Sequence, residues 1–247
     1  MKKRVYLFDE IRGLAIVLMV FYHLFYSMSS IFSISVGTVL INIFSPFQPL
    51  VASLFIFISG ISSYLSKSNL KRGLKLFFIS LVISVVTYLI MPEQVILFGI
   101  LHLLSVSILL FAALQKFLER IPILGGFITA IILFVFTYGV MYGFLGVLGI
   151  RLIDIPDFMY NSDMLFALGF ASDSFFSSDY FPILPYIFMF FAGTFIGRIV
   201  KKEQLPAQFY KKHSNLFSFL GRHTLIIYIV HQPVILFLLF VVEYFTK

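Results

Sequence analysis

Cysteine is absent from the 247 residues, so the chain has no disulfide framework, no thiolate nucleophile and no zinc site built on sulfur. Tryptophan is absent as well, which leaves 33 Phe and 13 Tyr to supply every aromatic anchor. Charge is scarce: 12% of residues are Asp, Glu, Lys or Arg, against about 25% in an ordinary soluble domain. With 60% hydrophobic residues and a mean hydropathy of +1.03, a water-soluble fold is excluded. Runs of about 18 apolar residues recur, longer than the roughly 10-residue alternating strands of a membrane β-barrel. The fold class is therefore all-α: a polytopic helical bundle in the membrane, one domain over 1–247.

The apolar runs predict seven spans, at 11–31, 48–66, 73–91, 95–115, 121–146, 181–199 and 222–243. Residues 160–172 read as a re-entrant or interfacial segment, which would make an eighth span if it crossed. Ser33 to Gln48 reads as an uncharged outer loop, and Gly139, Gly143 and Gly146 as a small-residue face of the fifth span. The Ser59 to Ser63 stretch gives the second span a similar packing face. Met1 to Arg4 precede a run interrupted by Asp9, Glu10 and Arg12 with no small-residue cleavage site after it, so the first span is expected to be retained.

The net charge of +7 comes from basic residues in short turns, where orientation signals belong, rather than from a nucleic-acid patch. Lys2, Lys3, Arg4, Lys67, Lys71, Arg72, Lys75, Lys116, Arg120, Lys201, Lys202, Lys211, Lys212 and Arg222 fall on one side if seven spans alternate. That side reads as the cytosol, with the N-terminus inside. The opposite side carries Asp154, Asp157, Asp163, Asp173 and Asp179 against Arg151.

Titratable groups inside the spans carry the functional reading, because ionisable residues at membrane depth are rare unless they are used. Asp9, Arg12 and His23 share one stripe of the first helix, with Arg12 and His23 about 16 Å apart along the axis. His102 reads as seven residues into the fourth span and His231 about nine into the seventh, so three imidazoles occupy one slab without a carboxylate at that depth. His213 and His223 read as interfacial. A neutral imidazole takes a proton from an attacking hydroxyl or amine near pH 7, and it is also a nucleophile in its own right. Both chemistries suit acyl transfer; no metal-ligating set is expected.

Arg12-Gly13-Leu14-Ala15 with His23 reproduces an Arg-x10-His pattern of membrane-bound acyltransferases. Phe57 to Gly60, Phe98 to His102, Asp179 to Pro185 and Gly221 to Pro233 follow in an order that resembles the bacterial branch of the heparan-α-glucosaminide N-acetyltransferase catalytic-domain family. The resemblance implies acyl transfer, typically of acetyl from cytosolic acetyl-CoA, to a carbohydrate or other small acceptor across the membrane. It makes His23 the first catalytic candidate and His102 the second, with Asp9 and His231 in support. Arg12, Lys71, Arg72, Arg198 and Arg222 are the expected phosphate contacts, Asp179 an acceptor contact, and membrane lipids and a second copy in a homodimer further partners. The competing class is a proton-coupled transporter or flippase; the lack of an internal repeat and of paired intramembrane carboxylates speaks against it.

Overall fold

The computed structural model describes residues 4–161 and 163–246; Lys2 and Lys3, counted above as orientation signals, lie outside the described residues. Seven of its helical segments are long and apolar enough to cross a membrane: Tyr6–Ile31, Ser35–Leu65, Asn69–Ile90, Ile100–Leu118, Ile123–Tyr142, Ile183–Lys201 and Thr224–Phe245. The all-α membrane bundle is what the composition calls for, and large apolar side chains such as Phe78, Leu89, Leu124 and Ile226 stay exposed along it, where lipid covers them.

The chain groups into two compact units, 1–55 with 203–247, and 56–202. The first unit starts with α1 (Tyr6–Tyr26), which runs into a π-helical turn at Ser27–Ile31 and is followed by α2 (Ser35–Phe44). The expected outer loop at 33–48 is thus mostly helix. Val36, Val39, Leu40, Ile41 and Phe44 carry no charge to hold them in water, and the chain breaks helical pairing only at the Pro46 turn before α3 (Gln48–Leu65). The same unit resumes with a short turn at Ala207–Tyr210, the eight-residue α8 (Asn215–Arg222) and α9 (Thr224–Thr246). Ser214 caps α8 by accepting from the Phe217 amide at 3.3 Å.

Glycine decides how closely α1 and α8 cross. A Cβ on Gly13 would overlap the Phe217 carbonyl, and one on Gly221 the Asp9 carbonyl, so the two backbones touch where both lack side chains.

The second unit holds the rest of α3, then α4 (Asn69–Ile90), α5 (Ile100–Leu118), α6 (Ile123–Thr137) and α7 (Ile183–Lys201). Gly60 of α3 and Gly193 of α7 make a second backbone crossing, with Phe190 and Phe57 carbonyls in the place of any added Cβ; the small-residue face expected at 59–63 is the one used.

The fifth span differs from its expected form. α6 ends at Thr137, a 3-10 turn runs to Tyr142, and Gly143 at φ +84° turns the chain into an antiparallel hairpin of β1 (Phe144–Val147) and β2 (Ile150–Asp154). Gly139, Gly143 and Gly146 therefore do not share a helix face. The segment near 160–172 contains a six-residue 3-10 helix, Asp163–Leu168, too short to cross.

Candidate active site

Within the first unit, the N-terminal turns of α1 gather charge. Asp9 accepts from Arg4 Nε at 2.7 Å and faces Arg12 at 3.7 Å, and the Arg12 guanidinium also donates to the Gly221 carbonyl at 3.4 Å. Glu10, buried, receives the backbone amides of His213 (2.7 Å) and Ser214 (3.0 Å), with the His213 ring 3.3 Å from its other oxygen. One carboxylate thus fixes the linker that leads into α8. Arg222 is exposed and its Nε donates to the Ser218 carbonyl at 3.2 Å. His223 bonds the Phe219 carbonyl at 2.9 Å.

Eleven residues along α1 from Arg12, His23 meets α9. The rings of His23 and His231 lie 4.9 Å apart, tilted by 57°, with Tyr22 edge-on to His23 at 5.6 Å and Tyr228 against His231 at 5.5 Å. His231 Nδ1 lies 2.6 Å from the Tyr228 carbonyl. A carbonyl only accepts, so Nδ1 carries the proton, and in the neutral ring the lone pair is on Nε2. Four residues beyond His23, Ser27 Oγ takes a hydrogen bond from Gln232 Nε2 at 3.0 Å, while the buried Oε1 of Gln232 has no partner among the described residues. Ser27 opens the π turn, a feature frequent at functional sites. Pro233, next in α9, has no amide to give the Ile229 carbonyl. Two of the four predicted chemical residues, His23 and His231, are thus brought together.

In the second unit, His102 sits in the first turn of α5, not seven residues into a span, because 95–99 is not helical. It has a carboxylate nearby after all: buried Asp179 takes the Ile100 amide at 3.2 Å, beside the Gly99 amide that donates to His102 Nδ1 at 3.3 Å. An amide only donates, so Nδ1 accepts and the ring proton is on Nε2, 3.2 Å from Ser84 Oγ; that hydroxyl donates to the Ile96 carbonyl at 2.5 Å. His102 and Asp179 together hold the start of α5, where helix amides lack intrahelical partners. Phe98 stacks on the His102 ring at 5.6 Å.

A family model described as heparan-alpha-glucosaminide N-acetyltransferase, catalytic, matches residues 4–233. The chain belongs to this family. As a member of the heparan-alpha-glucosaminide N-acetyltransferase catalytic family it is an integral membrane acetyltransferase. No curated protein and no solved structure matches it.

The phosphate-contact candidates of this family member divide between the units: Arg12 and Arg222 in the first, Lys71, Arg72 and Arg198 in the second. Arg198 donates to three carbonyls at the end of α5, those of Leu118 (3.4 Å), Glu119 (3.2 Å) and Ile121 (2.6 Å). Arg72 reaches Ser63 Oγ at 3.4 Å, and Lys71 is exposed. Beside Arg198, the Gln115 amide (2.9 Å) is the main influence holding the Glu119 carboxyl below its ordinary range, against some desolvation and with the Tyr64 hydroxyl (3.0 Å) adding to it. Ser27, Ser84, Tyr228, Gln232 and Glu10 are the site residues that sequence reasoning passed over. Gln232 carried a signal, since it directly follows His231 in the last of the motifs; the serines carried none.

Proposed function

We propose that the protein moves an acyl group, acetyl first, from cytosolic acyl-CoA to a carbohydrate or other small acceptor on the far side of a bacterial plasma membrane, with the N-terminus in the cytoplasm. The observation that carries the reading is the imidazole pair of His23 and His231 in a chain of an acetyltransferase family. The concentration of basic residues in alternate turns supports the orientation.

Within the first unit exposed Arg222 is available to a phosphate, and within the second exposed Lys71 is, because Arg198 spends its guanidinium on the end of α5. Arg12 combines the two roles, holding α8 through the Gly221 carbonyl while presenting positive charge beside Asp9. Acyl-CoA, when bound, supplies an activated carbonyl with a thiolate leaving group. The imidazole pair accepts the acceptor's proton as its oxygen or nitrogen attacks, and the surrounding apolar helices keep water from competing.

Binding and consumption of labelled acetyl-CoA by the detergent-purified protein test this. We expect Arg12→Ala to weaken acetyl-CoA binding, and His23→Ala to keep binding while turnover falls by about 10²- to 10⁴-fold. Folded wild-type protein that binds no acyl-CoA would overturn the reading in favour of a transporter.

A further inference from the structure

The base is one of the imidazoles, and the hydrogen bonds of His231 and of its neighbour Gln232 favour His231. Hydrogen bonding fixes opposite tautomers in the two units: His102 spends its Nδ1 lone pair on the Gly99 amide, whereas His231 spends its Nδ1 proton on the Tyr228 carbonyl. The basic nitrogen of His231 is consequently Nε2, the nitrogen a general base needs. Gln232, next to it on α9, keeps its Nε2 on Ser27 and leaves its carbonyl oxygen buried without a donor among the described residues. A buried acceptor with no donor destabilises the fold, and a substrate N–H or O–H removes that penalty. His23 on α1 meets the His231 ring, and Ser27, four residues on at the start of the π turn, holds the Gln232 amide.

We infer that the seam between α1 and α9 is the acceptor subsite of this acyltransferase, with His231 Nε2 as the general base and the Gln232 side-chain carbonyl as the group that receives a second donor of the acceptor. The assignment rests on the acyl-transfer reading. In the step it describes, the acceptor oxygen or nitrogen bonds to the acyl carbon as its proton passes to His231 Nε2. The carbon–sulfur bond breaks with its electron pair on sulfur, and His231 returns the proton to that thiolate. Acetylated acceptor and CoA thiol are the products, and His231 ends as it began. His102 takes no part in proton transfer and positions the start of α5.

Two measurements test this. Nitrogen-15 spectra of histidine-labelled wild-type protein, with His231 assigned by its loss in His231→Asn, report the tautomer directly and need no turnover. Nδ1–H for His231 and Nε2–H for His102 are expected; Nε2–H for His231 would overturn the assignment. The second measurement is CoA thiol release from acetyl-CoA, with glucosamine as the acceptor probe. His231→Ala should lower kcat by at least about 10²-fold with the acetyl-CoA KM within twofold, and added imidazole should restore part of the rate. Gln232→Leu should raise the glucosamine KM more than it lowers kcat. A His231→Ala protein that keeps wild-type kcat, or one that loses kcat without rescue although it elutes as folded protein, overturns the inference and leaves the acyl-transfer reading standing. Wild-type protein that releases no CoA thiol overturns that reading, while the tautomer spectrum still judges the geometry.

Discussion

Glu10 shows how much one side chain settles in this protein. Its carboxylate takes two backbone amides of residues 213 and 214, more than 200 positions away in sequence. Glu10→Ala leaves both amides without an acceptor and should lower stability by about 1–3 kcal/mol, read as a lower midpoint of thermal unfolding in detergent. His102→Ala should behave alike, losing stability through the start of α5 while the acetyl-CoA KM holds. Glu119 offers a pH test. Its folded carboxyl lies below the ordinary value of 4.5, so the stability it adds is present above that value and is lost as pH falls through the depressed one. Glu119→Gln should therefore narrow the gap between melting temperatures at pH 7 and pH 3. His23 and His231 were legible in the sequence because an imidazole inside an apolar run announces itself. The carboxylate beside His102 was not, because Asp179 reaches α5 from 79 residues beyond Ile100 and nothing local marks that pairing.

Among the elements, the helices follow from uninterrupted apolar runs, and the departures have identifiable causes. α2 escapes a reading from sequence because Ser35, Thr38 and Asn42 make its composition resemble a loop, although no charge interrupts it. The hairpin was hidden by its turn: Leu148 and Gly149 both have positive φ, 52° and 86°, where Asn-Gly would have given the usual signal. Leu148 is 89% exposed, so it gains no packing in return. Leu148→Asn should stabilise the hairpin by about 1 kcal/mol, seen as slower amide exchange of residues 144–154. The crossing of α1 and α8 tolerates no side chain at either glycine; Gly13→Val or Gly221→Val should cost on the order of 1–3 kcal/mol or prevent folding, visible as loss of the monodisperse elution peak.

At the scale of the whole molecule, membrane residence and the number of spans were open to reading from hydropathy alone, because burial in lipid imposes its length on each run. The division into two units was not, since hydropathy records which residues avoid water and not which helices meet. The lack of cysteine makes topology directly testable, because any introduced thiol is the only one. A membrane-impermeant maleimide applied to intact cells should label Asp173→Cys and leave Lys212→Cys unlabelled; the reverse pattern would invert the proposed orientation.

The first unit is assembled from both ends of the chain, 1–55 and 203–247, and this sets an order on synthesis. When a ribosome has delivered residue 202, every residue of the second unit exists, but α1 still lacks α8 and α9. Glu10 then waits without the 213–214 amides, and His23 without His231. The imidazole pair is consequently completed only after the whole of the second unit has been made, and a translation product that stops near residue 202 can insert most of its helices while holding only half of that pair.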